Sequence, residues 1–267
     1  MLFARNALVV LLLVLVPSAG HAAEPMACTL IVDAESGVEL VHEGICDQRV
    51  APFSTFKLAL AVIGFEAGII KDGQNPSWNW QPGIDAPERD HKSVDPTIWE
   101  RDSVLWYSRE LVRRMGAAQF AGLVRQLGYG NIDVAGTAGQ ANGMTRSWLG
   151  ASLEISPQEQ VQFVRQMLGG QLPVSAAAQA GASTLLPQFD AADGWVLTGK
   201  TGSGWLTDAQ GNFFKDRSLG WFIGWADRGA QRVVFARLLV DNKARGGALG
   251  LTLREALIAE LPGLLER

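Results

Sequence analysis

Ser54-Thr55-Phe56-Lys57 opens an otherwise apolar run, Leu58 to Phe65, and sets a hydroxyl and an amine three positions apart. On a helix, that spacing puts both on one face, one turn above the other. Apolar residues cover nearly every side of the segment, the pattern of a helix buried inside a domain. Lys57 is its only basic residue. Burial disfavours an ammonium, so the amine is expected to lose its proton easily and to act as a base. Ser54 would stand at the helix N-terminus, where backbone N–H groups favour a developing negative charge. Nucleophile, base and oxyanion donors could then come from one turn. The plain alternative is a serine N-cap beside a lysine whose stem carries its amine to water.

Histidine supply narrows the chemistry. His21 lies in the N-terminal segment, leaving His42 in a predicted hairpin and His91 in a polar loop, and no Gly-x-Ser-x-Gly elbow occurs. A Ser-His-Asp hydrolase is therefore not expected. If Ser54 is a nucleophile, Lys57 is the residue available to activate it. A second signal, Lys200-Thr201-Gly202, ends a stretch from Gly194 with the spacing of a phosphate-binding loop. That motif must open a helix. Trp195-Val196-Leu197 is strand material and Gly202-Ser203-Gly204 does not readily start a helix, which argues against nucleotide binding.

The elements that would hold these residues follow from pattern. Short strands are predicted at residues 28–34 and 38–42 around Glu35-Ser36-Gly37, then the Ser54 helix, stopping near Gly68. Residues 71–102 read as a long irregular stretch containing Trp78, Trp80 and Trp99. Helices follow at 103–115, 117–127, 156–168 and 175–186, the third opened by the capping box Ser156-Pro157-Gln158-Glu159. Three antiparallel strands are expected near 195–200, 219–226 and 233–240, and a second capping box, Thr252 to Glu255, is expected to open the last helix. The predicted fold is α+β, an antiparallel sheet flanked by helices. Residues 23–53 plus 192–267 would form the sheet domain, and residues 54–191 an inserted helical domain carrying the nucleophile helix at the interface.

With 267 residues, 48% of them hydrophobic, the chain can bury a sizeable core. Arg5, the apolar run Ala7 to Val16, and small residues Gly20 and Ala22 read as a signal peptide over residues 1–22. The run is too short to span a bilayer comfortably. The mature chain is expected to be exported, periplasmic or secreted, with no membrane contact. Removing Arg5 with that segment takes the formal charge from −4 to −5. No block of like charge remains, which argues against a nucleic-acid partner. Cys28 and Cys46 flank the predicted hairpin and are expected to form a disulfide across its base, with two free buried thiols as the alternative. Their spacing is not that of a metal site. Monomer and dimer are both left open.

Taken in order, Ser54-Thr55-Phe56-Lys57, Ser103-Val104-Leu105, Tyr129-Gly130-Asn131, Trp148, Lys200-Thr201-Gly202 and Gly220 to Trp225 resemble the class D (OXA-type) serine β-lactamases. Two departures stand out: Leu105 replaces the usual valine, and the Ser-Asp-Asn sequence of class A is absent. The resemblance implies the penicillin-recognising serine enzyme fold and an acyl-enzyme on Ser54. It implies Lys57 carboxylated by CO2 as general base, no other cofactor, and Trp148 steadying the carbamate through its indole N–H. Ser103 would pass a proton to the lactam nitrogen. Lys200, Thr201 and Arg254 would meet the substrate carboxylate, Gly202 would complete the motif, and the N–H groups of Ser54 and Ser203 would form the oxyanion hole. Arg254, placed in the first turn of the last helix, is expected to face an external anion. A small-molecule β-lactam is the implied partner. The alternatives are a penicillin-binding D,D-peptidase and a non-hydrolysing β-lactam sensor domain, the latter normally preceded by membrane helices.

Overall fold

The computed structural model describes residues 25–245 and 248–266. The segment read as a signal peptide lies outside them. In chain order the elements are β1 (Met26–Asp33), β2 (Glu39–Gly44), α1 (Phe56–Glu66), β3 (Trp78–Asn79), β4 (Ser93–Val94), α2 (Pro96–Asp102), α3 (Leu105–Met115) and α4 (Ala117–Leu127). There follow α5 (Gly143–Arg146), α6 (Pro157–Leu168), α7 (Ala176–Ser183), β5 (Gln188–Asp190), β6 (Val196–Thr207), β7 (Phe213–Arg228), β8 (Gln231–Val240) and α8 (Leu249–Leu265).

One antiparallel sheet runs in the order β2-β1-β8-β7-β6-β5. Both of its faces are covered. On one, Leu253, Leu257 and Leu261 of α8 pack with Leu197, Phe222 and Phe235. On the other, α6 lies over β1 and β8, and the core continues into α1. Two covered faces explain why residues 218–226 of β7 are buried without alternation. The expected α+β architecture with an antiparallel sheet and flanking helices is present. Strand β5, at residues 188–190, pairs with β6, so the boundary drawn at 191/192 runs between two paired strands. The Cys28–Cys46 disulfide closes the β1–β2 hairpin.

Several element bounds depart from expectation. The stretch read as irregular contains α2, started by Asp95, whose carboxylate accepts from the Ile98 N–H at 2.8 Å, with Pro96 at the first helical position. Ser103 is not the N-cap of the next helix. It adopts a left-handed conformation (φ 60°) at the end of α2, and α3 begins at Leu105. The helix expected to reach Leu186 stops at Ser183. No capping box forms at Thr252, because α8 starts a turn earlier, at Leu249, and its Gly250 N–H donates to the Ser203 hydroxyl at 2.9 Å. An acceptor on the neighbouring strand takes the place of a cap from the helix's own sequence.

Candidate active site

Ser54 lies in a single 3₁₀ turn, Phe53–Thr55, that runs into α1. Three contacts fasten this turn. The Phe53 N–H donates to the Trp148 carbonyl at 2.9 Å, the Thr55 hydroxyl to the Pro52 carbonyl at 2.7 Å, and the Gln160 amide of α6 to the Thr55 hydroxyl at 3.0 Å. Phe53 itself is left-handed (φ 49°), and its ring covers Gly204, where a Cβ would come within 2.2 Å of it. Only glycine fits there. Phe53 and Ser103 are thus both held in sparsely populated backbone regions beside the same cleft, where strained residues concentrate at functional sites. Ser54 makes no side-chain cap, so the N-cap reading of it is set aside.

Lys57, in the first turn of α1, is only 1% exposed. Its amine does not reach water; it donates to the Ser54 hydroxyl at 3.2 Å. Burial is the main cause that draws its pKa from 10.5 down to about 7; Lys200 and Arg109 push the same way, while Glu100 and Asp90 resist. Lys200, 2% exposed on β6, donates to the Ser103 hydroxyl at 3.1 Å and to the Thr201 carbonyl at 3.3 Å. Burial, with Arg254 adding to it, also lowers the Lys200 pKa, against the pull of Glu100. Each of these two hydroxyl–amine pairs therefore joins a half-buried hydroxyl to a buried nitrogen inclined to give up a proton.

Trp148 is fully buried. Its ring stacks on Phe56 at 5.4 Å between centroids, and its indole N–H finds no acceptor among the described residues. Indole can only donate, so an unsatisfied buried N–H is suited to an added anion. A cleft of about 460 Å³ opens above this core. Ser54, Ser103, Lys200, Thr201, Ser203 and Arg254 all line it. Lys57 lies beneath, bonded to Ser54, and Gly202 packs against the Ser54 turn, where a Cβ would come within 2.8 Å of the Pro52 carbonyl oxygen. Strand β5 pairs only with Val196–Thr198, so among the described residues Lys200 to Thr207 keep one edge of β6 without a strand partner beside the cleft. The cysteines do not line it.

The placement of Arg254 corrects an expectation. With α8 starting at Leu249, Arg254 falls in the second turn, outside the region where the helix dipole opposes a cation. Its guanidinium lies 4.5 Å above the Phe189 ring and is also paired with Glu255 at 2.5 Å. Phe189 was not singled out in the sequence; only its position after Pro187, at the start of a short strand, could have signalled it. Arg89 and Arg101 also line the cleft, with Asp102 as the one acid among the described residues, so its charge suits an anionic ligand. Asp102 is held by Lys92 and Arg101.

Comparison with known proteins agrees with this geometry. The penicillin binding protein transpeptidase domain family matches residues 27–261. The chain is 43% identical to β-lactamase OXA-9 of Klebsiella pneumoniae over 244 residues, 91% of this chain and 89% of the relative. It is 33% identical to OXA-1 of Escherichia coli, covering 80% and 76% of the two chains. Its structure superposes on that of the OXA-427 class D β-lactamase with a TM-score of 0.80, at 35% identity, over 90% of this chain and 98% of the other. Likeness along nearly the whole described chain, joined to a half-buried serine bonded to a buried lysine beside a cleft rich in basic side chains, leads to one assignment: the chain belongs to the class D β-lactamases.

Proposed function

We propose that this enzyme opens the β-lactam ring of penicillin- or cephalosporin-type antibiotics through an acyl-enzyme on Ser54. The observation that carries the reading is the 3.2 Å contact from the buried Lys57 amine to the Ser54 hydroxyl. An amine with so low a proton affinity is nucleophilic towards CO2, and the unsatisfied Trp148 indole N–H offers the product anion a donor. A carbamate on Lys57 supplies a general base for acylation and deacylation. The chain's own residues do the rest. Ser54 Oγ attacks the lactam carbonyl, and the N–H groups of Ser54 and Ser203 receive the oxyanion. Ser103, bonded to Lys200, passes a proton to the departing lactam nitrogen. Lys200, Thr201 and Arg254 hold the substrate carboxylate, with charge-assisted bonds that fix the ring over Ser54. Export to the periplasm is part of the same reading, since a disulfide persists in an oxidising compartment.

Hydrolysis of a chromogenic cephalosporin in bicarbonate buffer tests it, with intact-mass analysis after a penicillin pulse. The expected result is rapid hydrolysis, a transient mass adduct, and losses of at least a hundredfold in Ser54→Ala and Lys57→Ala. A persistent adduct without turnover would instead mark a D,D-peptidase or a sensor domain. Full turnover in Lys57→Ala would overturn the assigned base.

A further inference from the structure

Glu100 has no part in the mechanism above, yet it is fully buried, and both of its carboxylate oxygens lack a hydrogen-bonding partner among the described residues. It projects from α2, three positions before Ser103, so the element that presents the proton donor also presents a buried acid. An unsatisfied carboxylate at such depth is costly unless a charge or a proton compensates it. The groups in its field are the two site lysines, Lys57 from α1 and Lys200 from β6. Around those lysines stand Asp90, Arg109 of α3 and Arg254 of α8. Burial raises the Glu100 pKa to about 7, against the pull of the lysines, close to where Lys57 lies. Burial thus moves both groups towards their neutral forms.

We propose that Glu100 is a positioning residue that sets the charge of Lys57, accepting the proton released when the Lys57 amine reacts with CO2. The inference rests on the carbamate reading above. The step balances: the neutral amine nitrogen bonds to the carbon of CO2, one N–H bond breaks, and the proton moves, directly or through solvent, to the Glu100 carboxylate. One negative charge is present before, on Glu100, and one after, on the carbamate. Two buried anions in one another's field are thereby avoided. Until that proton arrives, ionised Glu100 favours the ammonium form of Lys57, so carboxylation draws on the fraction of Lys57 that is neutral.

The test compares wild-type enzyme with Glu100→Gln and Glu100→Asp, using ¹³C-bicarbonate and nuclear magnetic resonance of the carbamate carbon across pH 6 to 9. The glutamine variant should need several-fold less bicarbonate for half occupancy, and its acid limb should move down by about one pH unit, the low end of a neighbouring charge's effect. Glu100→Asp should return both towards wild type. A buried residue that only fills space would move neither. An unchanged half-saturation and limb in Glu100→Gln would overturn the proposal while leaving the carbamate intact. A wild-type enzyme with no carbamate signal would remove both. Should the variants fail to fold, infrared difference spectra of wild-type enzyme on CO2 loading decide: a protonated-carboxyl band must grow, and its absence overturns the proposal.

Discussion

At the scale of single residues, ionisable groups beside the cleft stand where burial opposes their charge. Lys57 is the clearest case. Its pKa is lower in the folded protein, near 7, than the 10.5 of an exposed lysine, so between those values the unfolded chain binds more protons. Stability therefore rises with pH across that window, and the full penalty applies below it. Lys57→Met should raise the melting temperature most at pH 6–7, with the gain shrinking towards pH 10, while abolishing turnover. Each 1 kcal/mol recovered is worth about 2–4 °C in a protein of this size. A gain that grew with pH would contradict the sign. Arg254 is a different kind of residue, partly exposed and touching the cleft. Arg254→Ala should lower kcat/KM by about ten- to a hundredfold, mainly through KM, as expected for a lost charge-assisted bond. Steady-state kinetics with a carboxylate-bearing substrate check it. Most of these residues could be read from the sequence because their spacing carries the chemistry. Glu100 could not: nothing in Trp99-Glu100-Arg101 says that the glutamate turns inward beside the tryptophan, and the stretch that holds α2 reads as irregular.

Elements were legible where a local signal decided their ends. The Ser156–Glu159 capping box forms as read, with both reciprocal bonds present. Thr252 to Glu255 has the same sequence pattern and no box, since packing of Gly250 against β6 fixes where α8 begins. Local propensity loses to tertiary contact there. Helix α6 has a further task, because Gln160 accepts from the Tyr129 hydroxyl at 3.3 Å and donates to Thr55 in the Ser54 turn. Two substitutions separate stability from positioning. Ser156→Ala should cost about 1 kcal/mol with kcat unchanged. Gln160→Ala should cost about 1–3 kcal/mol, by leaving buried partners unsatisfied, and should also lower kcat. Denaturant unfolding and steady-state kinetics on both variants would distinguish these outcomes, and equal kcat values would separate α6 from the turn's geometry.

Over the whole molecule, two reinforcements act on β1. The disulfide ties it to the chain just beyond β2, and an eight-residue ladder, Met26–Asp33 against Val233–Val240, ties it to β8. The Cys28→Ser/Cys46→Ser double variant should lose about 2–4 kcal/mol, as loops of this length do, yet retain kcat at 25 °C. Chemical denaturation and an activity assay would measure both, and a large fall in kcat would show that the hairpin reaches the cleft. The sheet order itself was not legible, because alternation marks strands without naming their neighbours. That order has a consequence in time. A ribosome releases β1 some two hundred residues before β8, so every nascent chain carries an open β1 edge until β8 has been made. Chains stopped before residue 231 should pair that edge with one another and precipitate.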